Sequence, residues 1–305
     1  MRYLFVLFLC IAAVQKITAQ ETEPKNAVSL RHDNDFLLGT DRYYSFGSFI
    51  DYRRKIASDF IFEKKENNVL QLNFSLGQQG FTPDELDETV VEVFDYPFSG
   101  WLFLSSEVVQ ATTKNALSLK FQLGVTGDAS LAGQLQRWYH DFLNIGDEPT
   151  WEAAIPGALL FNLQGRHNFE IPLSKKSNAF FNFLTNASVG TKDIFIEEEL
   201  LFSFGKRNRL SNTSLFNFIN STREVYGYLG FAYRYVAHNT LIEGSLFNDD
   251  APFTLDANEN IFKFRMGVSF RIRSNIIKLE HNFNTEENSL SRNHNYTSFI
   301  FERNF

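Results

Sequence analysis

Cysteine is almost absent from this 305-residue chain, and the one present, Cys10, falls among the first ten residues. If that segment is removed, neither disulfides nor thiolate chemistry is open to the mature protein. Long apolar runs are missing too. Leu4 to Val14 is too short for a transmembrane helix, which needs roughly 18 or more apolar residues. Its setting, behind Arg2 and ahead of Ile17-Thr18-Ala19 and Gln20, reads as a secretory signal peptide over residues 1–19. The bulky Leu9 before Cys10 argues against lipoprotein cleavage. Positive charge is in deficit, with 29 Lys and Arg against 36 Asp and Glu, which argues against nucleic acid as a partner. No Pro/Gly/Ser linker, internal repeat or low-complexity tract divides the chain. A single domain over 20–305 follows.

Aromatic side chains are what the chain has in excess: 34 Phe and 11 Tyr, on a slightly negative mean hydropathy. Apolar groups on a polar average suit alternating strands better than helical blocks. The alternation is explicit in several windows. Leu117, Leu119, Phe121, Leu123 and Val125 interleave with Ala116, Ser118, Lys120, Gln122 and Gly124. Phe262, Phe264, Met266, Val268, Phe270 and Ile272 interleave with Lys263, Arg265, Gly267, Ser269 and Arg271, and the stretch from Leu70 to Gly77 repeats the scheme. A soluble sandwich alternates as well, so period alone does not choose between the two folds.

Three features favour a transmembrane barrel. The windows reach the ten or so residues that a tilted strand needs to cross the hydrocarbon layer. Their polar faces carry Lys, Arg, Gln and Gly, as a wet lumen allows. The chain also ends in an alternating segment, Tyr296 to Phe305, with Phe299, Phe301 and Phe305 on one face, an ending that resembles the C-terminal recognition strand of outer-membrane barrels. The expected fold is therefore all-β: a single antiparallel transmembrane β-barrel. Its windows are 26–33, 43–55, 68–78, 98–110, 115–126, 157–170, 179–190, 197–206, 224–237, 260–273, 275–285 and 295–305, twelve in all. Residues 239–247 are a thirteenth candidate, read as a loop or short surface element because such barrels close on an even number. The long connections 79–97, 127–156, 207–223 and 238–259 are expected to face outward.

Connection 127–156 carries a helical stripe, Leu131, Leu135, Trp138 and Phe142, that predicts a short helix near 131–143 lying against the rim or the lipid headgroups. Asp128 or Ser130 is the expected cap. Gln136 and His140 are four apart and share a face. Histidine is a natural general base, although in a loop it is more often merely solvated. The cluster Asp33-Asn34-Asp35, followed by Gly39 to Gly47, offers hard oxygen ligands for Ca²⁺; an ordinary Asp/Asn/Gly turn is the commoner meaning of that composition.

Taken together, Asn34-Asp35, Thr40-Asp41-Arg42 with Tyr44-Ser45-Phe46-Gly47, Phe81-Thr82-Pro83, the run from Asp95 to Leu102, and Gln136-Arg137-Trp138-Tyr139-His140 with Trp151 resemble, in order and spacing, the lipid A 3′-O-deacylases, the LpxR-like outer-membrane barrels. The second half matches mainly as strands and in Thr240 to Gly244. The resemblance implies twelve strands and a site near the outer rim facing lipopolysaccharide. It also implies a Ca²⁺-dependent hydrolase that removes the 3′ acyloxyacyl group of lipid A. His140 would then be the general base, Asn34 and Asp35 would hold the cation, and Gln136 would orient base or water. Ser45, where the family usually has Thr, would line the site as a polar group, not as an acylated nucleophile. Two positions depart from the pattern: Glu88 stands near a Lys of some relatives, and Gly146 stands where some carry an acid, with Asp147 and Glu148 adjacent. Other readings of the same barrel are a small pore, a surface-binding protein and an outer-membrane phospholipase with a serine nucleophile.

Overall fold

The structure, a computed structural model, describes residues 23–35, 39–57, 68–144, 148–173, 178–247 and 250–305. The signal-peptide segment 1–19 and the departures at Gly146 and Asp147 lie outside the described residues.

Twelve antiparallel strands close on themselves, each paired with its sequence neighbours and β1 with β12. They are β1 Asn26–Asn34, β2 Tyr43–Ile56, β3 Val69–Thr82, β4 Ser99–Ala111, β5 Asn115–Val125, β6 Leu159–Pro172, β7 Ala179–Gly190, β8 Asp193–Lys206, β9 Glu224–Asn239, β10 Asn260–Ile272, β11 Asn275–Asn284 and β12 His294–Asn304. Each window expected from the sequence became one strand, displaced by at most a few residues. Helices are α1 Ala132–Leu143 and α2 Thr240–Glu243; the thirteenth candidate is thus a short helix. Among the described residues no helix is long and apolar enough to cross a membrane.

The ladder register sorts the two faces. Leu30, Ile50, Leu76, Leu104, Leu123 and Phe161 are consecutive cross-strand partners, and every one is at least 43% exposed. The neighbouring row on the opposite face, Ser29, Asp51, Ser75, Ser105, Gln122 and Asn162, is wholly polar. Oily outside and wet inside is the pattern of a lipid-embedded barrel and the inverse of a soluble one. The lumen holds a cavity of about 480 Å³ lined by charged groups, crossed by ion pairs such as Arg265 with Glu199 at 2.6 Å and Arg234 with Glu197 at 2.8 Å.

Both mouths are stoppered. At the end away from the termini, Tyr43, Tyr44, Phe81, Tyr96, Trp101, Leu241 and Ile242 form one buried cluster. At the other end, residues 207–223 fold inward, and Leu210 and Phe218 pack on Ala111 and Ala116. Segment 207–223 corrects an expectation: it does not face outward. It joins strand eight to strand nine, and an even-to-odd connection returns on the side where the chain begins and ends. Long connections do favour the outside, but strand parity decides, and the segment's Leu and Phe side chains find an apolar site inside that mouth.

Candidate functional site

Four side chains from two distant stretches, 41–45 and 136–140, meet on the outside of the wall, at the end opposite the termini. Asp41 is their hub. Its Oδ2 lies 2.8 Å from His140 Nε2, and its Oδ1 accepts from Ser45 Oγ and from Gln136 Nε2, the latter at 3.2 Å. Gln136 Nε2 also reaches Ser45 Oγ at 3.2 Å. Trp151 Nε1 donates to Gln136 Oε1 at 2.8 Å and fixes which end of the amide faces Asp41. Gln136 and His140 are buried although α1 is a surface helix.

Local geometry explains how the chain achieves this. The β2–β3 ladder slips between Tyr44 and Phe46, so Ser45 is the extra residue of a bulge, a device that re-aims a side chain beside a site. Tyr44 stays inside, its hydroxyl on Asp33 at 2.8 Å, while Ser45 turns out toward α1. On β4, Leu104 is outward and Phe103 lines the lumen, so Gly100 faces outward by alternation. A Cβ on Gly100 would lie 2.1 Å from Ser130 Oγ and 2.6 Å from the Ala132 Cβ; the bare backbone lets the start of α1 rest on the wall. Gln78 of β3, outward by the same alternation, donates to the Ser130 carbonyl at 2.7 Å.

The expected cap of α1 is different from the one observed. Asp128 and Ser130 belong to a 3₁₀ turn, Gly127–Ser130, and the N-cap is Leu131 at φ 58° with no side-chain cap bond. Trp151 is also left-handed, at φ 54°. Each such non-glycine conformation costs on the order of 1–3 kcal/mol and persists where surrounding contacts over-determine it. The bonds of Leu131 N to the Asp128 carbonyl at 3.1 Å and of Trp151 to Gln136 are those contacts.

Asn34 and Asp35 lie at the end of β1, next to the same cluster. Asn34 Nδ2 donates to the Ser45 carbonyl at 3.4 Å, and Asp35 Oδ2 accepts from Arg42 N at 2.9 Å. Among the described residues Asp35 Oδ1 is buried without a hydrogen-bond partner. Burial, with the nearby Asp41 charge adding to it, pushes the Asp35 carboxyl up to about 8. An orphaned carboxylate oxygen beside a second acid and an amide is a donor set that suits a hard cation. Among the described residues no three His, Cys, Asp or Glu side chains form a metal cluster by themselves, so a cation here would need backbone, amide or water oxygens as well.

The structure brings Ser45, Gln136, His140, Asn34 and Asp35 close together, but sequence reasoning missed Asp41, the residue that joins three of them. Asp41 was visible only as part of the segment from Gly39 to Gly47. Its signal was the reciprocal need of a buried histidine for a carboxylate, and that becomes readable only when a hundred residues of separation are closed. Tyr96, Phe98 and Trp101 support the site from the side: Tyr96 and Trp101 seal the outer mouth, while Phe98 packs on Trp151 with centroids 5.4 Å apart. Glu88 is half-buried and accepts from Thr89 and Val90 backbone amides at 2.7 Å, away from the hub.

An apolar outer band, a charged lumen and a polar cluster on the membrane-facing wall define an outer-membrane β-barrel with a site turned toward the lipid. The family profile described as "Outer membrane protein LpxR" matches residues 4–305, and the chain belongs to that family. No curated protein sequence matches it. Among solved structures, LpxR from Salmonella typhimurium is similar at TM-score 0.76 and 18% identity, covering 92% of this chain and 100% of that one. An outer membrane channel from Pseudomonas putida F1 is similar at TM-score 0.50 and 9% identity, over 94% and 97%. At these identities the likeness is one of fold.

Proposed function

We infer that the protein is a lipid A deacylase that hydrolyses the 3′-linked acyloxyacyl ester in the outer leaflet, with His140 as general base. The observation that carries this reading is the position of the Asp41–His140–Gln136–Ser45 cluster. It lies outside the wall, beneath α1, where a membrane lipid arrives without entering the lumen. Lipopolysaccharide is then the substrate and the bilayer its route of entry.

The residues divide the work. The Asp41 carboxylate lies against Nε2 of His140 at 2.8 Å. The imidazole takes a proton from the attacking water, and Asp41 stabilises the imidazolium that results. Gln136, clamped by Trp151, holds Asp41 and the Ser45 hydroxyl in register. Asp35 and Asn34 would hold Ca²⁺, which when bound supplies positive charge for the ester oxygen. The proton on His140 then passes to the leaving alkoxide.

The phospholipase reading needs a serine that gives its proton to histidine. Here Ser45 donates to Asp41 Oδ1 while His140 engages Oδ2, so serine and imidazole sit on opposite oxygens of one carboxylate. That supports a direct water mechanism. The pore reading meets two closed mouths. Purified protein in detergent with Ca²⁺ is expected to release fatty acid from lipid A, and to lose that activity in chelator. Activity unaffected by chelation would remove the cation from the account; release from glycerophospholipid in preference to lipid A would favour the phospholipase.

A further inference from the structure

The ladder register lays outward side chains in rows beneath the site. Asn34, Phe46, Gly80 and Gly100 are consecutive partners at the level of the cluster. Two residues toward the termini along β1 the partners are His32, Ser48, Gln78 and Leu102. Two further on come Leu30, Ile50, Leu76 and Leu104, each at least 45% exposed, where the oily band begins. A polar row is thus interposed between site and hydrocarbon. Gln78 is explained by its bond to the Ser130 carbonyl. His32 and Ser48 hold nothing of α1: Nδ1 and Oγ lie 3.1 Å apart, and His32 is exposed on the wall. A polar, ionisable side chain on a lipid-facing surface is costly and marks function more often than chance.

We propose that His32 and Ser48 form a polar subsite for an oxygen-bearing group, a hydroxyl or a second ester, within the first few carbons of the acyl chain whose ester lies at His140. The proposal rests on the deacylase reading and adds its chain selectivity. Strand rise places the pair about 7 Å from Asn34 along β1. A chain leaving the cluster toward the bilayer must cross this row before reaching Leu30 and Ile50. A plain methylene chain would bury the hydroxyl and imidazole against hydrocarbon, whereas an oxygenated chain gives them a partner.

The test compares two glucosamine esters that differ only at the third carbon, tetradecanoyl and 3-hydroxytetradecanoyl. Binding is measured by calorimetry in detergent micelles on the His140→Ala protein, and hydrolysis on the wild type. Binding is expected to favour the 3-hydroxy chain about tenfold, the worth of one net hydrogen bond. His32→Phe added to that background should bring the ratio near one, and Ser48→Ala should lower it, with gel heat-modifiability confirming a folded barrel in each. A ratio near one before substitution, or a ratio that survives both substitutions, overturns the subsite. If the binding ratio is present and sensitive to His32 while wild type releases no acid from either ester, the subsite stands and the deacylase reading falls.

Discussion

The two ends of the barrel spend their buried polar groups in opposite ways. At the end that carries the termini, charged groups hold the inward segment 207–223 in the mouth. Glu170 pairs with Arg207 with both fully buried, and Glu224 accepts from Asn208 N and Ser214 N at 2.8 and 2.9 Å. Lys278 reaches the Ser214 carbonyl and Asn217 Oδ1, and Arg271 reaches the Phe218 carbonyl at 2.9 Å. At the far end the cluster around Asp41 sits outside the wall, and beside it Asp35 Oδ1 has no hydrogen-bond partner among the described residues. The first arrangement consumes charge to hold a segment still. The second holds a carboxylate, an amide and an imidazole against a lipid-facing surface, under a helix whose entry is left-handed. Unmet polar atoms occur at both ends, Arg207 Nη1 and Arg271 Nη1 among them at the mouth near the termini; what sets the far end apart is an unmet acid oxygen next to a second acid, Asp41.

Four substitutions sharpen that contrast. His140→Ala should cut fatty acid release by about 10²–10⁴-fold, the usual range for losing a general base, with the folded barrel unaltered on a heat-modifiability gel; near-wild-type rates would remove the base. Glu170→Ala should do the reverse, destabilising the barrel by about 3–5 kcal/mol because Arg207 is left buried without its ion partner. Its thermal midpoint should fall while activity per folded molecule holds. An activity loss matching that of His140→Ala would erase the division between the ends. Gly100→Ala should lower activity by up to about 10²-fold by lifting the start of α1 off the wall and moving His140 from its place. Unchanged kinetics would mean the helix is not seated through that contact. Trp151→Phe keeps the ring against Phe98 but loses the bond to Gln136, for an expected loss of about 2- to 10-fold, read as kcat/KM.

The fold was legible because its cause is local. Alternation such as Leu117 to Val125 or Phe262 to Ile272 fixes which face meets lipid, and closure follows from the even number of such windows. Even the misplaced segment 207–223 was readable, since its position between strands eight and nine assigns it to the side of the termini. The site was half legible. Gln136 and His140 share a helical face by spacing, and Asn34-Asp35 stand out as oxygen donors. The placement of Ser45 depends on a bulge that no pattern of residues announces, since Tyr44, Ser45 and Phe46 read as plain alternation. The cap of α1 was missed for a similar reason: Ser130 looks like one, yet its hydroxyl donates to the Gly127 carbonyl at 2.6 Å, and the bare Gly100 lets the start of the helix rest on the wall. Asp41 needed long-range closure of the chain before its partners existed.

The central claim is that Asp41 and His140 act as one unit on the membrane face of the wall. A double-mutant cycle of Asp41→Asn and His140→Ala, read as fatty acid release from lipid A with Ca²⁺ present, addresses it directly. Either substitution alone is predicted to remove nearly all of the activity, and the pair together little more. Independent losses that multiply, or an Asp41→Asn protein as active as wild type, would contradict the account.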